Sequence, residues 1–396
     1  MPVTNPNLEG YYVTRAMWLQ FYNASKGTFV APKKCSGCYN DDRFVVWAVA
    51  VAVQAVVDGA RIYPELLPLV EPAVDAFAKY KNKHVNGYSA AENGGTDMDI
   101  YYDDDAQVAS AMITAYEVTG NKKFLDLGRE LVRFLMGGWH NGIGGVKWHV
   151  SKTYVNACTT AEVAKACLQI AQFIPSEANV YIDFAAKCID WQIKTLQDEG
   201  NKCIKDGIQP DTMEIENGQL SYNTGTTLSC AAHLYHVTKD KKWKEIADGL
   251  AGAAVSHDSP FFDRDYPNEK RYWNNPSFWT SLLAEGVADY LLYMGPDASE
   301  ELVKRIHEEA ERHLRMFIKY SKDPEDGLYI QSFEPHRTFK ETYERYYKEE
   351  FGGKKDPGLR ADDKEKDTDK PQKCLMGLGA GARVLFQLAR VCPSLD

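Results

Sequence analysis

An internal repeat constrains the fold of this chain more than any other feature of its sequence. The segment AYEVTGNKKFLDL at 115–127 matches LYHVTKDKKWKEI at 234–246, at an offset of 119 residues. Each copy reads as the end of one helix, a short turn and the start of another, because apolar residues recur with helical spacing on both sides of the turn. Such a repeat predicts a fold assembled from helix pairs.

Helical patterns extend this arrangement along the chain. Helices rich in Ala, Gly, Val and Leu, the composition expected of helices surrounded by others, are predicted at about 41–58, 103–119, 156–172, 222–237, 275–294 and 373–390. More polar, amphipathic helices alternate with them, at about 10–24, 64–80, 121–136, 177–197, 240–255 and 299–319. These pairs predict an all-α fold, an (α/α)6 barrel in which an outer ring of helices surrounds an inner ring.

The same pattern predicts the domain organisation. Residues 1–396 are expected to form a single (α/α)6 domain, because the repeat spans the middle of the chain and no linker is evident. Two tandem all-α domains are the alternative. Residues 333–372 contain the charged runs KETYERYYKEE and RADDKEKDTDKPQK, and we interpret them as a partly helical excursion before the closing helix.

Charge and hydropathy exclude several partners and leave the compartment open. The formal net charge is −10 and the basic residues are scattered, which argues against nucleic acid or an anionic membrane surface as a partner. No apolar run reaches membrane-spanning length, and MPVTNPNLEGYY lacks the features of a signal peptide. The protein is therefore expected to be intracellular if Met1 is native, or secreted if the sequence is a mature form.

Cofactor and metal motifs are also absent from the sequence. Cys35-Ser-Gly-Cys38 is half of a zinc motif, but no second CxxC or HxxxH follows it. A local disulfide or free thiols are the favoured interpretations. The chain has no GxSxG elbow, phosphate-binding loop, HExxH or dinucleotide fingerprint, so we expect neither a cofactor nor a catalytic metal.

Three consecutive aspartates, Asp103, Asp104 and Asp105, stand at the start of a predicted inner helix. Carboxylates there can cap the free backbone N–H groups and interact favourably with the helix dipole. Two neighbouring carboxylates can instead serve as the acid and the nucleophile of a glycoside hydrolase, about 5 Å apart in retaining enzymes. Taken alone, the local sequence favours capping, and Asp105 is the best candidate for a capping or supporting role.

The loops before the inner helices change this balance. They are rich in aromatic residues, whose ring faces can pack on the apolar faces of sugar rings: Tyr101, Tyr102, Trp139, Trp148, Tyr154, Tyr222 and Trp273. Asn156, Asp206 and Asn223 add groups that can hydrogen-bond to hydroxyls. Each residue alone could be a core residue or a cap, but their clustering beside the aspartates predicts a carbohydrate cleft at one pole of the barrel.

An ordered set of motifs resembles glycoside hydrolase family 76, the endo-α-1,6-mannanases of bacteria and fungi. The set covers most of residues 40–320 and consists of YYDDDAQVASAMITAYEVTGNKKFLDLGRELV, GGVKWHVSKTYVNACTTAEVA, KDGIQ and SYNTGTTLSCAAHLYHVTKDKKW. The resemblance implies an (α/α)6 barrel, no cofactor, and a mannan or mannose-containing glycan as partner. We also expect a monomer.

The resemblance further implies roles for individual residues. Asp103 would be the nucleophile and Asp104 the general acid/base of a retaining double displacement. The residues that would bind the substrate are Tyr102, Trp148, Asn156, Asp206, Tyr222, Asn223 and Trp273. The chain departs from the family pattern at Asp105 and at Ala106-Gln107-Val108, where family members usually carry bulky aromatic residues.

Two other functions fit the same residues. A transglycosylase acting on mannose-containing glycans would use the same aspartates, with a sugar hydroxyl in place of water. A barrel that has lost turnover would bind another sugar or a small molecule. The sequence leaves these alternatives open, because the exclusion of water depends on the shape of the cleft.

Overall fold

A computed structural model of the chain describes residues 4–35, 37–92, 96–333, 340–352 and 373–396. Within these residues it contains thirteen α-helices. They are α1 (Pro6–Phe21), α2 (Val46–Ala60), α3 (Leu67–Asp75), α4 (Tyr102–Thr119), α5 (Lys122–Met136), α6 (Ala157–Ala171), α7 (Ala178–Leu196), α8 (Ser221–Thr238), α9 (Lys241–Ala254), α10 (Ser277–Met294), α11 (Glu300–Tyr320), α12 (Lys340–Phe351) and α13 (Leu375–Ala389).

Six of these helices form a closed inner ring. Each packs against the next in the order α2, α4, α6, α8, α10 and α13, and α13 packs back against α2. The helices α1, α3, α5, α7, α9 and α11 each cover two members of this ring from outside. The structure is therefore an (α/α)6 barrel, as the sequence predicts.

Composition explains which helices lie inside. The inner helix α2 has the sequence VWAVAVAVQAVVDGA, and nearly all of its residues are buried. The outer helix α5 instead buries one stripe, which includes Phe124, Leu131 and Leu135, and presents charged residues elsewhere. A helix that is apolar all round is stable only when other helices surround it, whereas an amphipathic helix suits an outer layer.

Glycine allows the closest approach between neighbouring inner helices. A Cβ atom placed on Gly286 of α10 would overlap the backbone carbonyl of Gly225 of α8. We expect Gly286→Ala to lower the free energy of unfolding by about 3 kcal/mol, because neither backbone can move without disturbing the ring. Chemical denaturation would measure this change.

Gly249→Ala is the matched control for that prediction. Gly249 also lies within a helix, but the nearest atom to its added Cβ would be Lys202 Cγ, at 3.9 Å. This variant should be more stable than the wild type by about 0.5–1 kcal/mol, because alanine is the better helix former. Equal effects of the two substitutions would contradict the assignment of Gly225 and Gly286 to a close helix crossing.

Short strands organise the connections between helices. Strand β1 (Tyr22–Asn23) pairs antiparallel with β2 (Thr28–Phe29). A second sheet has the order β3 (Val155–Asn156), β4 (Gly207–Gln209) and β5 (Glu214–Glu216), with antiparallel pairing throughout. This second sheet joins the segment before α6 to the segment before α8.

The predicted inner and outer helices are all present, with small shifts at their ends. The largest shifts are at the end of α3, which is Asp75 rather than near residue 80, and at the start of α2, which is Val46 rather than near residue 41. Helix α2 starts later because Arg43 and Phe44 form isolated β-bridges with Val30 and Cys38. Helix α12 lies within the predicted excursion, whose parts at 334–339 and 353–372 are outside the described residues. The assignment of 1–396 to one domain stays a prediction.

The two cysteines of the CxxC motif lie close together in the structure. Cys35 and Cys38 are free thiols with their sulfur atoms 3.5 Å apart. Across the described ranges, no helix is both long enough and apolar enough to cross a membrane. In the same ranges, no group of three or more His, Cys, Asp or Glu side chains is arranged to hold a metal ion.

Candidate active site

The long connections within the described residues lie at the pole where the inner helices begin. Residues 137–154 precede β3 and α6, residues 197–220 precede α8, and residues 255–276 precede α10. At the opposite pole, α4 and α5 are joined only by Gly120 and Asn121. Long loops over one end of a rigid scaffold are where binding sites usually form.

The first turns of the inner helices, with Trp148 of the 137–154 connection and residues of the segments before α2 and α4, enclose a cavity of about 360 Å³, which we call the apical cavity. Its lining combines carboxylates with aromatic rings: Val45, Trp47, Ala90, Asp99, Tyr101, Asp103, Asp104, Gln107, Trp148, Cys158, Tyr222, Phe278, Trp279 and Leu282. The volume lies in the range typical of small-molecule sites.

The three consecutive aspartates occupy the first turn of α4 but have different surroundings. Asp103 and Asp104 line the apical cavity. Asp105 is fully buried and accepts a hydrogen bond from the backbone N–H of Tyr88, at 3.0 Å. Asp105 therefore links the segment before α4 to the helix through this hydrogen bond, which is the kind of supporting role predicted for it.

Hydrogen bonds distinguish Asp103 from Asp104. The Trp148 indole N–H donates to Asp103 Oδ2 at 3.0 Å, and the backbone N–H of Asp104 donates to Asp103 Oδ1 at 3.1 Å. Within the described part of the chain, the carboxyl group of Asp104 has no hydrogen-bond partner. Donors stabilise a carboxylate, so Asp103 is the better placed of the two to carry a negative charge.

The pKa values follow this difference. Burial raises the pKa of Asp103 to about 6, while the backbone donors and Trp148 act to lower it. Burial raises the pKa of Asp104 well above its ordinary value, and the charges of Asp103, Asp105 and Asp99 raise it further. The pair therefore ionises first at Asp103, and Asp104 keeps its proton.

A second polar group lies beside this pair and is centred on Asp206. Its carboxylate accepts hydrogen bonds from the Tyr154 hydroxyl at 2.9 Å, the Asn223 amide at 3.1 Å and the Tyr222 hydroxyl at 3.4 Å. Tyr222 lines the apical cavity, whereas Asn223 is fully buried. Asp206 thus holds the Tyr222 ring in place from outside the cavity.

Besides Asp206 and Asn223, three other residues predicted to bind substrate lie outside the cavity lining. Asn156 is buried and caps α6, accepting the backbone N–H of Thr159 at 3.2 Å. The ring of Tyr102 is buried and stacks on Phe134, with centroids 5.3 Å apart. Trp273 is 1% exposed and stacks on His313, with centroids 3.9 Å apart. Among the predicted substrate-binding residues, Trp148 and Tyr222 are the ones that line the cavity.

Aromatic residues on the first turns of two inner helices complete the wall. Trp47 of α2 packs edge-on against Phe278 of α10, with ring centroids 5.4 Å apart. Trp279 of α10 packs against Tyr222, with centroids 5.2 Å apart. These residues were not singled out from the sequence; the available signal was their place in the first turn, level with Asp103 in the repeat of helix starts.

The fold and the cavity together define a class, the (α/α)6 barrels that carry a carboxylate pair where the inner helices begin. Within that class, the chain belongs to glycosyl hydrolase family 76, whose sequence profile matches residues 9–343. It is 26% identical over 387 residues to the Meiotically up-regulated gene 191 protein of Schizosaccharomyces pombe, an alignment that covers 90% of this chain and 86% of that protein.

Solved structures share the fold at lower identity. One is an inactive variant of an α-1,6-mannanase from Salegentibacter sp. HEL1_6, in complex with α-1,6-mannotriose, with two consecutive aspartates changed to asparagine. It is 14% identical, with a TM-score of 0.73 over 98% of this chain and 100% of that chain. Dfg5 from Chaetomium thermophilum, in complex with glucosamine, is 15% identical, with a TM-score of 0.67 over 98% and 90% of the two chains.

Proposed function

We propose that the protein is a retaining glycoside hydrolase that cleaves α-1,6-mannosidic linkages within a glycan chain. The observation that carries this proposal is the unequal environment of two adjacent carboxyl groups, Asp103 and Asp104, inside one aromatic-lined cavity. Membership of family 76 supports it, as does the likeness in fold to a mannanase that is inactive when two consecutive aspartates are replaced.

The first step of the reaction uses the two carboxyl groups in opposite states. The Asp103 carboxylate attacks the anomeric carbon while the bond from that carbon to the departing oxygen breaks. Asp104 gives its proton to the departing oxygen, and a mannosyl ester of Asp103 remains. Donors to Asp103 keep this group ionised, and the like charges around Asp104 keep that group protonated until the oxygen takes its proton.

The second step reverses these roles. Asp104, now a carboxylate, takes a proton from a water molecule whose oxygen attacks the anomeric carbon. The bond to Asp103 breaks and its carboxylate is restored. Two displacements at the same carbon return the original α configuration.

The cavity wall suits a sugar ring. Trp148, Tyr222 and Trp279 offer ring faces and edges, and the Tyr222 hydroxyl and Asp99 offer hydrogen-bonding groups. We assign Asp206, Asn223 and Asn156 a positioning role, since they hold Tyr222 and the start of α6. Tyr102 and Trp273 are buried against other rings and have no part in this proposal.

Incubation with linear α-1,6-mannan tests the proposal. Reducing ends, product sizes and the anomeric configuration of fresh products would be followed by colorimetry, chromatography and proton NMR. We expect oligosaccharides of several sizes, each released first as the α anomer. Release of the β anomer would contradict the retaining mechanism, release of mannose alone would contradict internal cleavage, and binding without cleavage would favour a barrel that has lost turnover.

Transfer to a sugar hydroxyl is a second candidate reaction. The apolar side of the apical cavity, with Val45, Trp47, Phe278 and Leu282, favours it because such a wall disfavours water near the ester intermediate. Added manno-oligosaccharide acceptor should then yield products longer than the donor. If the acceptor leaves product sizes unchanged, hydrolysis alone accounts for the second step.

The hydrogen bond from Trp148 to Asp103 gives a prediction about pH dependence. Because the reaction needs Asp103 ionised, kcat/KM should fall as the pH drops below about 6. Trp148→Phe removes a donor to the charged form, so the pKa of Asp103 should rise and this acidic limb should move up by about 0.5–1 pH unit. The pH profile of kcat/KM measures the shift.

Trp139→Phe is the matched control for the Trp148 variant. Trp139 packs against Phe184 and lies outside the cavity lining, so its variant should leave the acidic limb in place. If Trp148→Phe lowers activity equally at every pH, the indole only shapes the cavity and does not tune Asp103.

A further inference from the structure

A second cavity lies at the opposite end of the barrel axis. It has a volume of about 460 Å³, larger than the apical cavity, and we call it the basal cavity. Side chains near the C-terminal ends of the inner helices line it, among them Lys165, Gln169, His233, Glu285, Tyr293 and Arg390. The proposed hydrolysis uses none of these residues.

The charges around the basal cavity are paired with one another. Lys165 Nζ lies 2.5 Å from Glu285 Oε2, and Arg390 donates to Asp289 Oδ1 at 2.7 Å. Asp58 accepts from Arg61, at 3.3 Å. Arg383, behind the wall, donates to both Asp58 and Glu285. Because each carboxylate has a cationic partner, the wall is polar but carries little net charge.

Several donors on this wall remain unused. Lysine carries three N–H donors. Lys165 makes one ion pair, to Glu285, so it has donors to spare. The Gln169 carbonyl accepts from the Ser110 hydroxyl at 2.8 Å, while its amide N–H groups have no partner within the described residues. Each carboxylate has a cationic partner but keeps lone pairs, since Glu285 takes both Lys165 and Arg383 on Oε2, so the cavity wall offers acceptors beside these free donors.

His233 is the most informative of these residues. It is only 5% exposed, and its ring stacks on Tyr293 with centroids 4.1 Å apart and an angle of 9°. Neither ring nitrogen has a hydrogen-bond partner in the described part of the chain, although the side chain lines the cavity. Burial lowers its pKa to about 4, so the ring is neutral near pH 7 and offers one donor and one acceptor.

A wall built only for stability would use its polar groups internally. Buried polar groups are nearly always hydrogen-bonded. The basal cavity opens to solvent past Ile62 and Leu292, yet the buried His233 ring on its wall has no hydrogen-bond partner within the described residues. Its volume is in the range of ligand sites.

We propose that the basal cavity is a second, non-catalytic binding site for a neutral, hydroxyl-rich ligand of the size of a sugar unit. Hydroxyl oxygens would accept from Lys165, Gln169 and His233, and the rings of Tyr293 and Phe173 would meet the apolar part of the ligand. An anion fits less well, because the wall is balanced and six helix C-termini point towards it. This proposal is independent of the proposed hydrolysis.

Calorimetric titration with methyl α-mannoside tests the proposal, with inorganic phosphate as the contrasting probe. The wild-type protein should bind two sugar molecules per chain. The double variant Gln169→Leu with His233→Phe keeps a ring on Tyr293 and removes the unpartnered donors of these two side chains, leaving those of Lys165. It should bind the sugar at the apical cavity as the wild type does, and at the basal cavity at least about tenfold more weakly. Its hydrolysis of mannan should be unchanged.

Trp148→Ala is the reciprocal control, since it should weaken binding at the apical cavity only. Equal stoichiometry in the wild type and the double variant would overturn the proposal. Binding of phosphate but not sugar at the basal cavity would overturn it too. The mannan assay on the same samples reports separately on the hydrolase proposal.

A measurement on the wild-type protein covers the case in which the double variant does not fold. With histidine labelled by ¹³C and ¹⁵N, the His233 ring resonances should shift on addition of methyl α-mannoside and saturate. Resonances of His84 and His307, which lie outside both cavity linings, should not move. A His233 signal that stays fixed up to about 10 mM sugar would overturn the proposal.

Discussion

Asp103→Asn is expected to lower kcat on linear α-1,6-mannan by about 10⁴-fold or more. Asparagine has the shape of aspartate and can still accept the indole N–H of Trp148 through its carbonyl oxygen. It lacks the charge and the nucleophilic oxygen, however, so no mannosyl ester can form. Loss of a covalent nucleophile is among the largest effects a single substitution has on turnover.

Asp99→Asn is the matched control for this variant. Asp99 also lines the apical cavity, but its side chain is 51% exposed and pairs with His149 at 3.1 Å. Its substitution removes neither the nucleophile nor the acid, only one acceptor on the cavity wall, so kcat should change by less than about tenfold. Initial rates of reducing-end release measure both variants, and an Asp103→Asn protein with wild-type turnover would remove Asp103 from the mechanism.

The helical architecture could be predicted because its determinants are local. An apolar helix such as α2 is stable only inside a ring, and an amphipathic one such as α5 only on its surface, so composition and period already separate the two layers. The repeat at an offset of 119 residues then gave the pairing of neighbouring helices. Contact between α13 and α2 was expected because six helix pairs are the number that closes an (α/α)6 barrel.

The cavity wall was harder to predict because side-chain direction is a tertiary property. Tyr102 is next to Asp103 in sequence, but successive residues of a helix point about 100° apart, and its ring turns into the core against Phe134. Trp273 lies in a polar loop, yet its backbone forms an antiparallel β-bridge with Phe262, and its indole ring stacks on His313. Sequence position predicted which pole these residues occupy and not which way they face.

Aromatic residues in the first turns show the opposite case, because they look like core residues in the sequence and yet line the cavity. Trp47 and Trp279 stand in apolar helices where an aromatic residue reads as core. At the start of an inner helix, however, the ring of neighbours is open towards the pole, so the same side chain borders a cavity. Position within the helix, rather than residue type, decides between core and site.

Asp104→Ala should give the second largest loss, about 10²–10⁴-fold in kcat on mannan, because the departing sugar oxygen is then unprotonated. A dinitrophenyl α-mannoside needs no such proton, so it should still form the ester with Asp103 and then stall. Azide is a nucleophile that needs no general base, and adding it should restore turnover. Asp105→Asn, whose neutral side chain can still accept from the Tyr88 N–H, leaves both reacting carboxyl groups in place and should keep kcat on mannan within about tenfold of the wild type.

The configuration of the azide product separates the roles of the two aspartates. In Asp104→Ala, azide displaces Asp103 from the ester and gives the α-mannosyl azide after two inversions. In Asp103→Ala, azide takes the place of the missing carboxylate, attacks the substrate directly and gives the β anomer after one inversion. Proton NMR distinguishes the two products. The opposite pattern would exchange the roles of Asp103 and Asp104, and the same anomer from both variants would exclude a double displacement at this pair.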